Sequence, residues 1–317
     1  MKEIGGYIEL DTYRGDMLHD GAMALNCGRN CLAYLIKAKK IRKIVLPYFL
    51  CDSVRNLCDK EGVEIRYYHI DKHFLPTEVE LLEDEWLYIV NFYGQVSREK
   101  ITFFKNKYQS IIIDNAQDYF QQPVESVDTL YTCRKFLGVA DGAFLYTDTP
   151  SEENLPVDES FERMQFLLGR FERTASEFYG EYAANNKIFA NEPIKAMSKL
   201  TKNLLHAVDY EYIKKRRTEN FNLYYEALRK INRLEINHAE GAFAYPLLLE
   251  NGAEVRAELQ KKKIYIPTLW PNVMKDIGEY SLEYNLAQNI LPLPCDQRYD
   301  KKTICYVINE VEKCINK

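Results

Sequence analysis

No apolar run in this chain approaches the ~20 residues that a bilayer-spanning helix needs. The opening stretch "MKEIGGYIELDTYRGD" is polar and has no apolar leader core. Both absences point to a cytoplasmic protein. Positive charge is not in surplus: 42 Lys and Arg against 47 Asp and Glu leave a net charge of -5, which gives no electrostatic reason to expect nucleic acid as partner. Histidine is scarce, at five residues, and together with Cys27-x-x-x-Cys31 it forms no convincing metal-ligand set. Neither G-x-G-x-x-G nor G-x-x-x-x-G-K-[ST] occurs, so the two common nucleotide-cradling loops are missing. There is no internal repeat, low-complexity segment or Pro/Gly-rich linker.

What is present describes a globular protein. Hydrophobic residues make up 46% and charged residues 28% of 317, enough for one large domain and a smaller one. Eight cysteines are scattered along the chain, as reduced, partly buried thiols would be. The 24 tyrosines suggest polar-tipped surfaces or interfaces.

Between residues 30 and 120 helical and strand-like patterns alternate. "NCLAYLIKAKK", "SVRNLCDKEG" and "REKITFFKNKY" read as helices, with Gly62 as a C-cap. "KIVLPYF", "VEIRYYHID", "EWLYIVNFYG", "SIIIDNAQ", "TLYTC" and "GAFLYT" read as strands. Several strands are continuous apolar runs, the pattern of a parallel sheet covered on both faces. Beyond residue 155 the text predicts long helices over "SFERMQFLLGRFERTASEFYGEYAANNKIF" and the following segment. "FAYPLLL" and "IYIPTLW" read as strands, and "GAEVRAELQKK" and "KKTICYVINEVEKCI" as helices. The expected division is a large α/β domain over 1-205 and a small α+β domain over 206-317.

The strands end in polar residues, where open parallel sheets bind ligands. Tyr48-Phe49, Asn91-Tyr93, Asp114-Gln117 and the Arg134-Lys135 turn are all placed to face one crevice. A lysine in a low-dielectric cleft, pushed further by Arg134, loses part of its preference for the charged form. Its neutral amine is a nucleophile for an aldehyde. Asp114 suits a cationic ring nitrogen, as an electron-sink cofactor requires. "LNCGRNCLAYL" offers a phosphate turn: Gly28 allows close approach, the helix start presents free N–H groups, and Arg29 adds charge. Taken singly, Lys135 also reads as a surface lysine, Asp114 as a turn aspartate, and "CGRN" as a loop with an Asn N-cap.

Taken together, "NCGRNCL", "IVLPYFLCDSV", "VNFYGQ", "IIIDNAQ" and "RKFLGVADGAFLYT" resemble the fold-type I pyridoxal-phosphate enzymes. Within these the chain is similar to the DegT/DnrJ/EryC1/StrS sugar aminotransferases. "MSKLTKNLL", "KKRRTENFNLYYEAL", "YPLLL" and "ILPLPC" follow the same family more loosely. The resemblance implies a mainly parallel sheet flanked by helices, with a smaller α+β C-terminal domain. It implies pyridoxal 5'-phosphate as cofactor, an amino-acid donor, a keto-sugar nucleotide acceptor and a homodimer. By the same resemblance Lys135 bonds the cofactor covalently, Asp114 holds the pyridine nitrogen and Gln117 lies beside the ring. Gly28, Arg29 and Asn30 make the phosphate turn, and Phe49 is chosen over Tyr48 as the stacking aromatic. The family's Asn-Tyr-Arg-Met loop is replaced by "IKAMSKL", with Ala196 at the arginine position and Ser198 as the substitute contact.

Arg298 in "LPCDQRYDKK" reads either as a grip for a substrate carboxylate or phosphate or as a solvated turn charge. Trp270 reads as a packing or pocket-wall aromatic. The expected activity is amino transfer. The alternatives are another pyridoxal-phosphate reaction of the lyase type, or a chain that keeps the fold as a non-catalytic binding or assembly partner.

Overall fold

The computed structural model describes residues 4–150 and 154–315. Its larger sheet contains β1 (Met23–Leu25), β2 (Lys43–Pro47), β3 (Glu64–Tyr68), β4 (Glu85–Val90), β5 (Ile111–Asp114), β6 (Asp128–Thr132) and β7 (Ala143–Tyr146). Their order is β1-β7-β6-β5-β4-β2-β3. β2 to β6 run parallel, while β7 is antiparallel to both β6 and β1. The expected α/β architecture with a mainly parallel sheet is therefore what the chain forms. Ile111, Ile112 and Ile113 are all buried, because β5 is central and covered on both faces. Each such side chain contributes about 1.5–3 kcal/mol on burial.

The helices α1 (Gly28–Ala38), α2 (Asp52–Lys60) and α3 (Arg98–Tyr108) connect these strands. Their ends follow local chemistry. Ser97 caps α3 by accepting from the Lys100 N–H at 3.3 Å, and Lys105 and Lys107 lie in its last turn. α2 stops before Gly62, whose φ of +69° is the left-handed conformation that ends helices at low cost.

After β7 come α4 (Gln165–Glu172), α5 (Tyr179–Ile188), α6 (Lys199–Leu205) and α7 (Tyr210–Leu228). Of the long helices expected after residue 155, the first is divided into the short α4 and α5, while the second segment carries the short α6 and the 19-residue α7. A capping box between Thr174 and Glu177 starts a new helical turn and breaks the run. A second, two-stranded antiparallel sheet pairs β8 (Ala244–Leu248) with β9 (Ile290–Pro294). It sits among α7, α8 (Gly252–Lys261) and α11 (Lys301–Ile315), around a core that includes Phe221, Tyr224, Tyr245 and Leu291. The short α9 (Val273–Asp276) and α10 (Leu282–Asn289) precede β9. "IYIPTLW" forms no strand: Ile264 and Ile266 are buried without ladder partners.

All eight cysteines are free thiols, five of them buried. Among the described residues no cluster of His, Cys, Asp or Glu could hold a metal. No helix among them is long and apolar enough to cross a membrane. Tyrosine serves both at the surface, where Tyr179, Tyr212, Tyr265 and Tyr280 are exposed, and in the core. Tyr88, Tyr93, Tyr119, Tyr131, Tyr224 and Tyr245 are among the largest fully buried side chains, and several hydroxyls bond within the core. Tyr68 donates to the Tyr88 carbonyl at 2.9 Å and Tyr131 to that of Gln121 at 2.8 Å. A buried hydroxyl needs such a partner.

Candidate functional site

Three elements meet at the carboxyl ends of β5 and β6. Asp114 is the last residue of β5 and pairs in register with Leu130 of β6. Lys135 lies three residues beyond the end of β6. The start of α1 rests on β6: an added Cβ at Gly28 would lie 3.7 Å from Leu130 and 3.9 Å from Thr132. Parallel pairing thus brings residues from 28 to 135 to one edge of the sheet.

Asp114 is buried and its carboxylate is already organised. Oδ2 accepts from the Tyr88 hydroxyl at 2.7 Å, and Oδ1 from the Ala116 N–H at 2.8 Å. Tyr88 is positioned by strand parity. It pairs with Ile112, which shares a sheet face with Asp114 two residues on. Burial, followed by the charge of Asp114, pushes the Tyr88 phenol well above its usual range, so it stays a donor.

The Arg134 and Lys135 side chains go to different neighbours. Lys135 is exposed, with Nζ 5.7 Å from the centre of the Phe243 ring. Arg134 lies 4.4 Å over Phe189 and donates to Asn186 Oδ1 at 2.6 Å. Arg29, in the first turn of α1, donates to the Asn186 carbonyl at 3.3 Å. Burial pulls the Arg134 guanidinium below its ordinary range. The nearby Cys27 opposes this, and the guanidiniums of Arg29 and Arg163 push the same way. Arg134 Nε is buried without a hydrogen-bond partner. Among the described residues Arg134 forms no ion pair. Two guanidiniums beside a helix start, one with an orphaned buried N–H, make a place for a multiply charged anion.

The lysine turn is held from several sides. The Cys133 N–H bonds the Gly142 carbonyl at 3.1 Å, and the Phe136 and Leu137 N–H groups bond the Cys133 carbonyl. Asp141, fully buried, accepts from the Ser198 N–H at 2.8 Å, from the Ser198 hydroxyl at 2.7 Å and from the Thr201 hydroxyl. This fixes α6 against the turn. Gly142 has a φ of +111°, and a Cβ there would meet Thr201 Cγ2 at 3.0 Å, so both conformation and space call for glycine.

The other residues singled out in the sequence make the following contacts. Asn30 is not the N-cap; Cys27 holds that position. The Asn30 amide donates instead to Asn26 Oδ1 at 2.8 Å and to the Pro193 carbonyl at 2.7 Å. Gln117 accepts from the Tyr93 N–H at 2.8 Å. Phe49 is buried among Phe74, Phe92 and Trp270, with ring centres 4.6–6.3 Å away. Tyr48 stacks on Tyr67 at 5.0 Å. Ser198 is buried as the N-cap of α6. Arg298 clamps Asp296 through Nε at 2.6 Å and Nη2 at 2.8 Å.

The residues at the crevice fit pyridoxal phosphate. The buried carboxylate of Asp114 complements a ring cation, and Lys135 offers an accessible amine. Gly28, Arg29 and Arg134 offer N–H groups and positive charge for a phosphate. Tyr88 and Arg134 stand with these residues in the structure, and the sequence pattern did not assign them to the cofactor.

No protein-family model matches the chain, and no curated protein does. Solved structures do. A DegT DnrJ EryC1 StrS aminotransferase from Brucella abortus aligns at 16% identity over 92% of this chain and 86% of that one, with a TM-score of 0.63. The sugar aminotransferase CalS13 from Micromonospora echinospora aligns at 12% identity over 92% and 87%, with a TM-score of 0.62. The NtdA protein of Bacillus subtilis, solved with bound cofactor PMP, aligns at 12% identity over 96% and 79%, with a TM-score of 0.67. The chain therefore has the fold-type I architecture that these solved structures share.

Proposed function

We propose that this protein is a pyridoxal-phosphate-dependent aminotransferase that moves an amino group from an amino acid to a keto-sugar nucleotide. The observation that carries the reading is the convergence of Asp114, Lys135 and the start of α1 at the ends of two adjacent strands. Support also comes from the fold, which an aminotransferase from Brucella abortus and the sugar aminotransferase CalS13 share.

Bound pyridoxal phosphate would supply an aldehyde and a ring that accepts an electron pair. Asp114, which accepts from Tyr88 and the Ala116 N–H, would face the ring nitrogen and favour its protonated form. Lys135 would be the residue that bonds this aldehyde, with loss of water, and its amine, when free, would carry the proton removed from the substrate carbon. Gly28 and Arg29 orient the phosphate, joined by Arg134. Asn30 completes the phosphate turn, Gln117 lies beside the ring and Phe49 is the aromatic that stacks on it. Arg298 uses its Nε and Nη2 edge on Asp296, so its remaining nitrogen is the one a substrate anion would meet. Arg170 of α4 lies near enough for its own charge to be affected by Arg298.

The active unit in this reading is a homodimer. Phe161, Leu168, Phe171 and Tyr179, on and around α4 and α5, are exposed, an apolar surface that a second copy would cover. The small domain is taken to begin after residue 205, where α6 ends.

The reading is tested by colour and turnover. Protein incubated with pyridoxal phosphate should be yellow, and glutamate should bleach it. Adding nucleotide keto-sugars should then restore the colour with incorporation of the amine. A protein that never colours contradicts the proposal.

A further inference from the structure

Arg217, on α7, is buried to 1% exposure in a chain segment, "KKRRTENF", that otherwise reads as a solvated charged face. No carboxylate among the described residues pairs with it. The carboxylate whose charge acts on it, Asp296, is clamped by Arg298. Burial pulls the guanidinium down to about 10. An unpaired buried cation is a poor device for stability, since an apolar residue of similar volume avoids the desolvation cost. What arginine adds is a planar set of donors with fixed directions.

Those donors converge on the lysine turn. Nη2 donates to the Phe136 carbonyl at 3.1 Å, Nη1 to the Ala242 carbonyl at 3.0 Å and Nε to Gln297 Oε1 at 2.9 Å. The Gln297 amide donates to the same Phe136 carbonyl at 2.9 Å. The guanidinium also lies 4.6 Å over the Phe136 ring. Phe136 follows Lys135 directly. Ala242 directly precedes Phe243, whose ring is 5.7 Å from Lys135 Nζ and 6.0 Å from the Phe136 ring. A closed circuit of contacts thus runs from Arg217 through Phe136, Lys135, Phe243 and Ala242 back to Arg217.

We propose that Arg217 is a positioning residue for Lys135: with Gln297 it fixes the turn that presents the lysine amine, and it joins that turn to the segment that places Phe243 beneath the amine. The inference rests on the assignment of Lys135 as the cofactor lysine. It adds that α7 and the 242–243 segment set where that amine stands. A loosened turn leaves the amine present and reactive but misplaced, and small misplacements of a reacting group are costly in rate.

The test uses full-length protein with pyridoxal phosphate, comparing wild type with Arg217→Met and Gln297→Met. In wild type, borohydride reduction and peptide mapping establish that the adduct is on Lys135. Adduct formation is then followed by the visible band in stopped flow. Binding of the 4-alcohol analogue of the cofactor, which cannot react with an amine, is measured alongside. Arg217→Met should slow adduct formation by at least about tenfold and alter the visible band, while the alcohol binds as in wild type. Gln297→Met should show the same change to a smaller degree. A folded Arg217→Met with wild-type rate and band overturns the proposal. If that variant does not fold, a Gln297→Met variant with wild-type rate and band overturns it. A wild-type label away from Lys135 instead defeats the cofactor-lysine reading, and this inference with it.

Discussion

The Tyr88 hydroxyl donates to Asp114 Oδ2 at 2.7 Å, across two adjacent parallel strands and wholly inside the protein. That bond orients a carboxyl group at the edge of the crevice, and its charge is the point at which Asp114 can be tested. Asp114→Asn preserves shape and removes charge. Cofactor should still bind through Lys135 and the phosphate turn, while turnover should fall about a thousandfold, or ~4 kcal/mol of lost transition-state stabilisation. Steady-state kinetics with a spectroscopic check of cofactor loading measures this. Near-native turnover would reduce Asp114 to a turn residue.

Arg134 offers a prediction confined to the phosphate. Arg134→Gln removes a charge-assisted donor worth about 1.5–3 kcal/mol. Affinity for pyridoxal phosphate should drop at least about tenfold, and affinity for pyridoxal, which lacks the phosphate, should hold. Titration of both ligands by fluorescence or absorbance reads the difference. Equal losses for the two would place Arg134 outside the anion site.

How much of this was legible in the sequence depends on how local the determining contacts are. β5, β6 and α1 announced themselves through short apolar runs and a helical face, and Asp114 and Lys135 sit at their ends. The three-residue β1 carries too little pattern to be read as a strand, and in β9 the two prolines of ILPLP mask one. Phe49 could not be registered because the chain turns after Pro47, and only the packing of Phe74, Phe92 and Trp270 decides which way its ring faces. Tyr88 was readable in principle from parity, once β4 and β5 are known to be neighbours. Arg217 was not readable: its partners Phe136 and Gln297 lie 81 and 80 residues away. Charged neighbours on α7 hide it.

Stability should depend on pH through His19. Its ring is buried, Nε2 bonding the Tyr119 carbonyl at 2.9 Å and Nδ1 lying 3.2 Å from the Tyr146 hydroxyl. Burial lowers its pKa from 6.5 to about 4, against the smaller opposing effect of the Tyr119 carbonyl. The unfolded chain therefore takes up a proton before the folded one does, and this contribution is lost as pH falls from 6.5 towards 4. Between pH 8 and pH 5 the loss is about 2 kcal/mol. Asp118 works in the opposite sense: burial raises its pKa to about 7, so its contribution is lost as pH rises from 3.8. Denaturant unfolding of wild type and His19→Gln at the two pH values separates the two effects. The variant should lose about 2 kcal/mol less than wild type on acidification, and identical losses would contradict the assignment.

The most direct measurement is the location of the covalent attachment. Protein loaded with pyridoxal phosphate is reduced with borohydride, digested and mapped by mass spectrometry. The account predicts a single pyridoxyl group on Lys135, in the peptide that carries Arg134, Phe136 and the Asp141-Gly142 exit into β7. A label on another lysine, or no label at all, would contradict it.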